Sequence, residues 1–202
     1  MAFGCNTQLL RTQGRAFAFL SAILSLFLTS AQAAPIRIVA IGASNTSGWL
    51  ISSDSAYPAV LQRLLKEKGI AAEVINAGVP FDTTRKMLER LDAAVPKDTA
   101  IVILQPGGND LRFFGTREER AANIERMSQR LKAKGIEVVV YDEYIPWKYV
   151  FDGIHLTPAG HSMIANALLP RVMQVIQRSP KLNSRLPQQP AAPGSRPKAV
   201  RP

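Results

Sequence analysis

Four short blocks of this 202-residue chain carry the residue types of acyl-transfer chemistry. Gly42-Ala43-Ser44-Asn45-Thr46-Ser47-Gly48-Trp49 offers a serine among small residues. Asn76-Ala77-Gly78-Val79-Pro80-Phe81-Asp82-Thr83-Thr84 and Gln105-Pro106-Gly107-Gly108-Asn109-Asp110 offer backbone and amide donors. Asp152-Gly153-Ile154-His155-Leu156-Thr157-Pro158 sets an acid three residues before a histidine. A serine hydroxyl is a weak nucleophile until a base takes its proton. The base needs an orienting partner, and the developing oxyanion needs donors aimed at it. The chain holds two histidines, His155 and His161, so chemistry that needs an imidazole has little choice. His155 has the acid beside it, whereas His161 falls in the first turn of a helix and reads as packing or capping. Their spacing spans a helix start and implies no shared face, which argues against a metal site. No metal or organic cofactor is expected. Taken singly, each residue also has a plain structural use: Ser44 as a helix N-cap, Gly78 and Asn109 as turn residues.

The elements between the blocks must bring them together. Ile36–Ile41, Glu73–Ile75, Ala100–Leu104 and Ile136–Tyr141 are short apolar runs that read as buried strands. Helical patterns separate them. One covers Pro58–Lys68 and stops at Gly69; a second covers Thr83 to about Ala93, with Met87, Leu88 and Leu91 on one face. A third opens with the capping-box pattern Thr116-Arg117-Glu118-Glu119, and the last runs from Thr157-Pro158 to about Gln177 with a kink expected at Pro170. Alternating strands and helices predict an α/β protein: a three-layer α/β/α sandwich with a parallel sheet of four strands and room for a fifth. Ligands of such sheets bind beyond the carboxyl ends of the strands, which is where the first three blocks fall.

In this order, the four blocks resemble those of the SGNH (GDSL-type) hydrolases, over residues 36 to about 177. The resemblance implies the flavodoxin-like fold of that family and a serine esterase. Ser44 would be the nucleophile, His155 the base and Asp152 its orienter. The oxyanion hole would be the N–H groups of Ser44 and Gly78 with the Asn109 amide. The blocks look most like the small bacterial arylesterase, thioesterase and lysophospholipase branch, which implies a small-molecule or lipid ester cleaved through an acyl-Ser44 intermediate. An O-acetyl esterase of envelope polysaccharide and a catalytically inactive envelope-binding protein of the same fold are the other readings. The α/β-hydrolase elbow Gly-x-Ser-x-Gly is not met, because Thr46 stands at its last position. Two features depart from the family. Ala43 replaces the Asp of Gly-Asp-Ser, a carboxylate that helps organise the nucleophile loop. Only residues 142–151 separate the fourth strand from Asp152, where the family often has a further helix and strand. Tyr144, Trp147, Tyr149 and Phe151 in that stretch either line an acyl or aryl site, with Trp147 and Tyr149 as candidate substrate contacts, or cover the open sheet edge.

The formal charge of +10 would suggest a nucleic-acid partner if it were spread over the fold. It is not. Residues 1–33 have Arg11 and Arg15, an apolar run from Ala16 to Leu28 and an Ala-x-Ala end, the pattern of a secretory signal peptide. Residues 178–202 hold six basic residues, six prolines and no acid, and read as a disordered basic tail. The catalytic domain, 34–177, carries only +2. The expectation is therefore a secreted or periplasmic protein with no nucleic-acid partner, whose tail touches an anionic envelope surface weakly.

Overall fold

The computed structural model describes residues 34–113 and 115–186. The signal-peptide reading of 1–33 lies outside them. Four strands form one parallel sheet in the order β2-β1-β3-β4: β1 Ile36–Gly42, β2 Ala72–Gly78, β3 Ile101–Gln105 and β4 Glu137–Val140. The chain starts in the middle of the sheet, pairs β2 on one side, then crosses to β3 and β4 on the other. β1 and β3 are the central strands. Their side chains are apolar on both faces because both faces are covered.

Alternation along the strands builds two cores. Ile36, Ile38 and Ala40 of β1 and Ile101 and Ile103 of β3 meet Tyr57, Leu61 and Leu65 of α2 (Tyr57–Glu67) and Ile164, Leu168 and Val172 of α7 (Pro158–Arg178). Val39, Ile41, Val102 and Leu104 point the other way. They meet Met87 of α3 (Thr84–Glu89), Leu91 of α4 (Leu91–Ala94) and Met127 and Leu131 of α6 (Arg117–Ala133). This is the three-layer sandwich that period-two strands and amphipathic helices predict. Two very short helices complete the carboxyl edge: α1 Ser44–Ser47 after β1 and α5 Asn109–Arg112 after β3.

The helix starts are capped as their sequences demand. Thr116 Oγ1 accepts from Glu119 N while Glu119 reaches back to Thr116 N, and Thr157 Oγ1 accepts from Gly160 N. Two expectations change. The helix predicted over Thr83 to Ala93 is broken at Arg90, between α3 and α4. The final helix runs from Pro158 to Arg178 and carries Pro170 within it, on its exposed side. The folded domain also extends past 177: a short helix α8, Pro180–Asn183, buries Leu182, and Leu186 packs on the same core. Two leucines four apart supply the apolar anchor that the proline-rich composition hides. Residues 187–202, the rest of the expected tail, lie outside the described residues. No fifth strand is present among the described residues. Residues 142–151 hold one 3-10 turn, at Trp147–Tyr149.

Candidate active site

β1 ends at Gly42, and α1 begins two residues later, so Ser44 is carried at the carboxyl edge of a central strand. The turn is tight: Ala43 O accepts from both Thr46 N and Ser47 N. Beneath it, Thr46 Oγ1 donates to Gln105 Oε1 at 3.1 Å and lies 3.2 Å from the hydroxyl of buried Tyr57. The loop is thus braced by neutral hydroxyls and an amide, with Ala43 buried at the turn. Ser44 is the first residue of its helix, so its N–H has no partner within the helix. Its side chain borders a cavity with Gly107, Asn109, Arg112 and Ile154.

Asp152 and His155 form a self-contained unit. One carboxylate oxygen accepts from the N–H groups of Ile154, at 2.9 Å, and His155, at 2.7 Å; the other pairs with His155 Nδ1 at 2.6 Å. Donation from the His155 backbone, and then from its ring, holds the Asp152 carboxyl down to about 2. With Nδ1–H given to the carboxylate, Nε2 keeps its lone pair and can act as a base. The exposed Phe151 ring stacks on the imidazole at 6.0 Å.

Asn45 ties this unit to the Ser44 loop. Its amide donates to Ile154 O at 3.1 Å, and its carbonyl oxygen accepts from Leu156 N at 3.1 Å. One side chain, adjacent in sequence to Ser44, therefore grips the backbone on both sides of His155. No hydrogen bond joins Ser44 to His155 directly among the described residues.

Asn109 is buried at the start of α5, and its amide donates to Asp82 O at 2.9 Å. That bond uses one N–H and leaves the second for a ligand. Asp110 beside it accepts from both Thr84 N and Thr84 Oγ1, fixing the loop after β3 to the start of α3. Arg90, where the predicted helix breaks, pairs with Asp82 at 2.6 Å and donates to Ala77 O and Gly42 O. It ties the ends of β1 and β2 to the loop that anchors Asn109.

The Gly78 N–H is engaged by Asn76 Oδ1 at 3.0 Å. What Gly78 provides is space: a Cβ there would stand 2.2 Å from Ser47 N, so only glycine lets α1 lie against β2. In the turn that follows, the Phe81 N–H has no partner among the described residues. Val79–Asp82 form a turn closed by Asp82 N to Val79 O, with Pro80 second and Phe81 third at φ +66°, a place normally taken by glycine. Trp147 and Tyr149 do not border the Ser44 cavity. Trp147 is 82% exposed, and Tyr149 packs on the core while its carbonyl caps Thr157. His161 is structural: buried against Tyr57, it accepts from Tyr57 N at Nδ1.

The strand order defines a flavodoxin-like α/β architecture, with a serine, a histidine and an aspartate at the carboxyl edge of its sheet. The GDSL-like lipase/acylhydrolase family matches residues 40–149, more than half of the chain, and the chain belongs to that family. The match takes in the first three blocks; Asp152 and His155 lie just beyond it. The chain is similar to the esterase TesA of Pseudomonas aeruginosa, 29% identical over 131 residues that cover 64% of this chain and 65% of that one. It is also 30% identical to an arylesterase of Vibrio mimicus over 132 residues, 64% of this chain and 66% of the relative. It thus spans slightly less than two thirds of the length of these curated relatives. Its fold is similar to a crystal structure of TesA, with a TM-score of 0.62 at 21% identity over 69% of this chain and 99% of that chain.

Proposed function

We propose that the protein is a serine esterase that hydrolyses carboxylic esters through an acyl-Ser44 intermediate, with arylesterase- or lysophospholipase-like substrates. The observation that carries this reading is the Asp152–His155 pair, held by Asn45 against the Ser44 loop. Ser44 Oγ attacks the ester carbonyl carbon as its proton passes to His155 Nε2, and Asp152 stabilises the imidazolium. The carbonyl oxygen becomes an oxyanion, facing the Ser44 N–H, the free N–H of the Asn109 amide and the unbonded N–H of Phe81. Collapse breaks the bond to the alkoxy oxygen, which takes the proton from His155 and leaves as alcohol or phenol. Water then repeats the cycle: it gives a proton to His155, attacks the acyl carbon and releases the carboxylic acid with Ser44 restored. No step needs a metal or cofactor. The relatives' names, esterase and arylesterase, support the same reading. Export through residues 1–33 to the periplasm or beyond, and weak contact of the basic tail with an anionic envelope, complete the proposal; no nucleic-acid partner is included.

A fluorophosphonate tests it. The folded protein should form an adduct on Ser44, and Ser44→Ala should lose it. Absence of an adduct on folded protein would leave the inactive binding protein as the better reading. A panel of p-nitrophenyl esters from acetate to palmitate, with a lysophospholipid and an acetylated sugar, then ranks the substrates.

A further inference from the structure

All ten large apolar side chains exposed among the described residues lie on one edge of the molecule. They sit on the segments that follow the carboxyl ends of the four strands, from Leu50 after β1 and Phe81 after β2 to Phe113 after β3 and Trp147 after β4. Single exposed apolar residues scattered over a surface are ordinary; confinement of all of them to the segments that follow the carboxyl ends of the strands is not. Contacts link them. Trp49 meets Phe81 edge to face at 5.9 Å, and Phe81 and Phe113 wall one groove with Lys86. Backbone strain points the same way. Leu50 and Phe81 are the non-glycine residues at positive φ among the described residues, and both present an apolar chain outward, Leu50 at 70% exposure. Such strain persists where a function holds it.

The charges of this edge favour one kind of partner. Asp82, Asp142, Glu143 and Asp152 are paired with Arg90, Arg120, Arg171 and His155, and Glu89 in the Phe81–Phe113 groove is paired with Arg85; Asp54 and Glu118 have no ion pair among the described residues. Lys86, Arg112 and Lys148 stand between the apolar tips with no ion pair among the described residues, and Arg112 borders the Ser44 cavity. We infer that this edge seats the protein on an anionic lipid surface: the apolar tips enter the headgroup boundary and the cations meet lipid phosphates. A second copy fits less well, since a two-fold contact would set these cations against themselves. Presentation of Ser44 to esters in that surface rests on the esterase reading; the seating itself does not.

The test uses Ser44→Ala protein, so that no lipid is turned over. It is sedimented with vesicles of phosphatidylcholine and phosphatidylglycerol, 7:3, and with pure phosphatidylcholine vesicles. Binding to the mixed vesicles is expected, with partitioning at least about tenfold weaker for Leu50→Ser with Trp147→Ser. The melting temperature should stay unchanged, since both side chains are exposed. No binding of the parent protein, or equal binding by the substituted protein, overturns the inference; equal binding would place the contact in the basic tail. A dimer in sedimentation velocity that the same substitutions dissociate, without vesicle binding, overturns it in favour of a copy-to-copy interface. Hydrolysis of a soluble p-nitrophenyl ester by the parent chain is read separately, so failure of the esterase reading cannot be mistaken for failure of the docking.

Discussion

The two halves of the candidate site are held in opposite ways. Ser44 belongs to the best-supported part of the molecule. It follows a central strand, over a buried network of Thr46, Gln105 and Tyr57, with two core clusters below it. Asp152 and His155 lie on a loop after an edge strand, with no ladder of their own beyond the single bridge Val150–Leu156. Their order comes from a few local bonds: Asp152 to two backbone N–H groups, the Phe151 N–H to His155 O, and the Asn45 grip. A proposed nucleophile fixed by the core and a proposed base fixed by side-chain bonds fail differently. Disturbing the first should cost stability; disturbing the second should cost turnover and spare the fold.

The sharpest way to break that contrast is Asp152→Asn. The asparagine keeps the size but loses the charge that fixes the imidazole tautomer and stabilises the imidazolium. Turnover of a p-nitrophenyl ester should fall roughly a thousand- to ten-thousand-fold, with an unchanged melting temperature. Retained turnover would remove Asp152 from the mechanism.

The opposite behaviour is expected under the nucleophile. Burial pushes His161 down from its ordinary 6.5 to about 4, and its neutral Nδ1 accepts from Tyr57 N. The unfolded chain therefore binds a proton between pH 6.5 and 4 that the native protein refuses. Stability is fully present above pH 6.5 and is lost as pH falls toward 4, by on the order of 3 kcal/mol. Urea unfolding at pH 7 and pH 4.5 should show this loss in the parent and a much smaller one in His161→Phe. An equal loss in both would mean that other groups set the acid limit.

Asn45→Ala tests the link between the halves. Removing both backbone bonds frees the His155 loop, so kcat should drop about ten- to a hundredfold with little change in KM. Asn45→Asp keeps the acceptor for Leu156 N and loses the donor to Ile154 O, so it should fall between the two. If Ala and Asp behave like the parent, the loop holds itself.

The same division explains what could be read from the residues alone. Strands from apolar runs, the Thr116–Glu119 and Thr157 caps and the sheet's carboxyl edge follow from local pattern, so the fold class and the loops that carry Ser44, Asn109 and His155 were legible. What each polar group spends its bonds on was not. Asn76 engages Gly78 within one strand, Asn45 reaches residues more than a hundred positions away, and Arg90 breaks a helix to bind strand carbonyls. The proline content from 178 onward outweighed Leu182 and Leu186, whose partners belong to a distant core.

Phe81 is where the smallest effect is expected and the two regions meet. Its turn is gripped by Arg90 on Asp82 and by Asn109 on the Asp82 carbonyl, so the left-handed conformation is imposed by the polar frame of the oxyanion side. A phenylalanine there pays roughly 1 kcal/mol that glycine would not. The ring itself is 59% exposed and recovers little by packing. Phe81→Gly should therefore raise stability by up to about 1 kcal/mol in urea unfolding, even though glycine also loosens the unfolded chain. Because the substitution keeps the N–H and the turn, hydrolysis of p-nitrophenyl acetate should change little. Partitioning onto anionic vesicles should weaken, which separates what the Phe81 backbone does for the reaction from what its ring does at the surface.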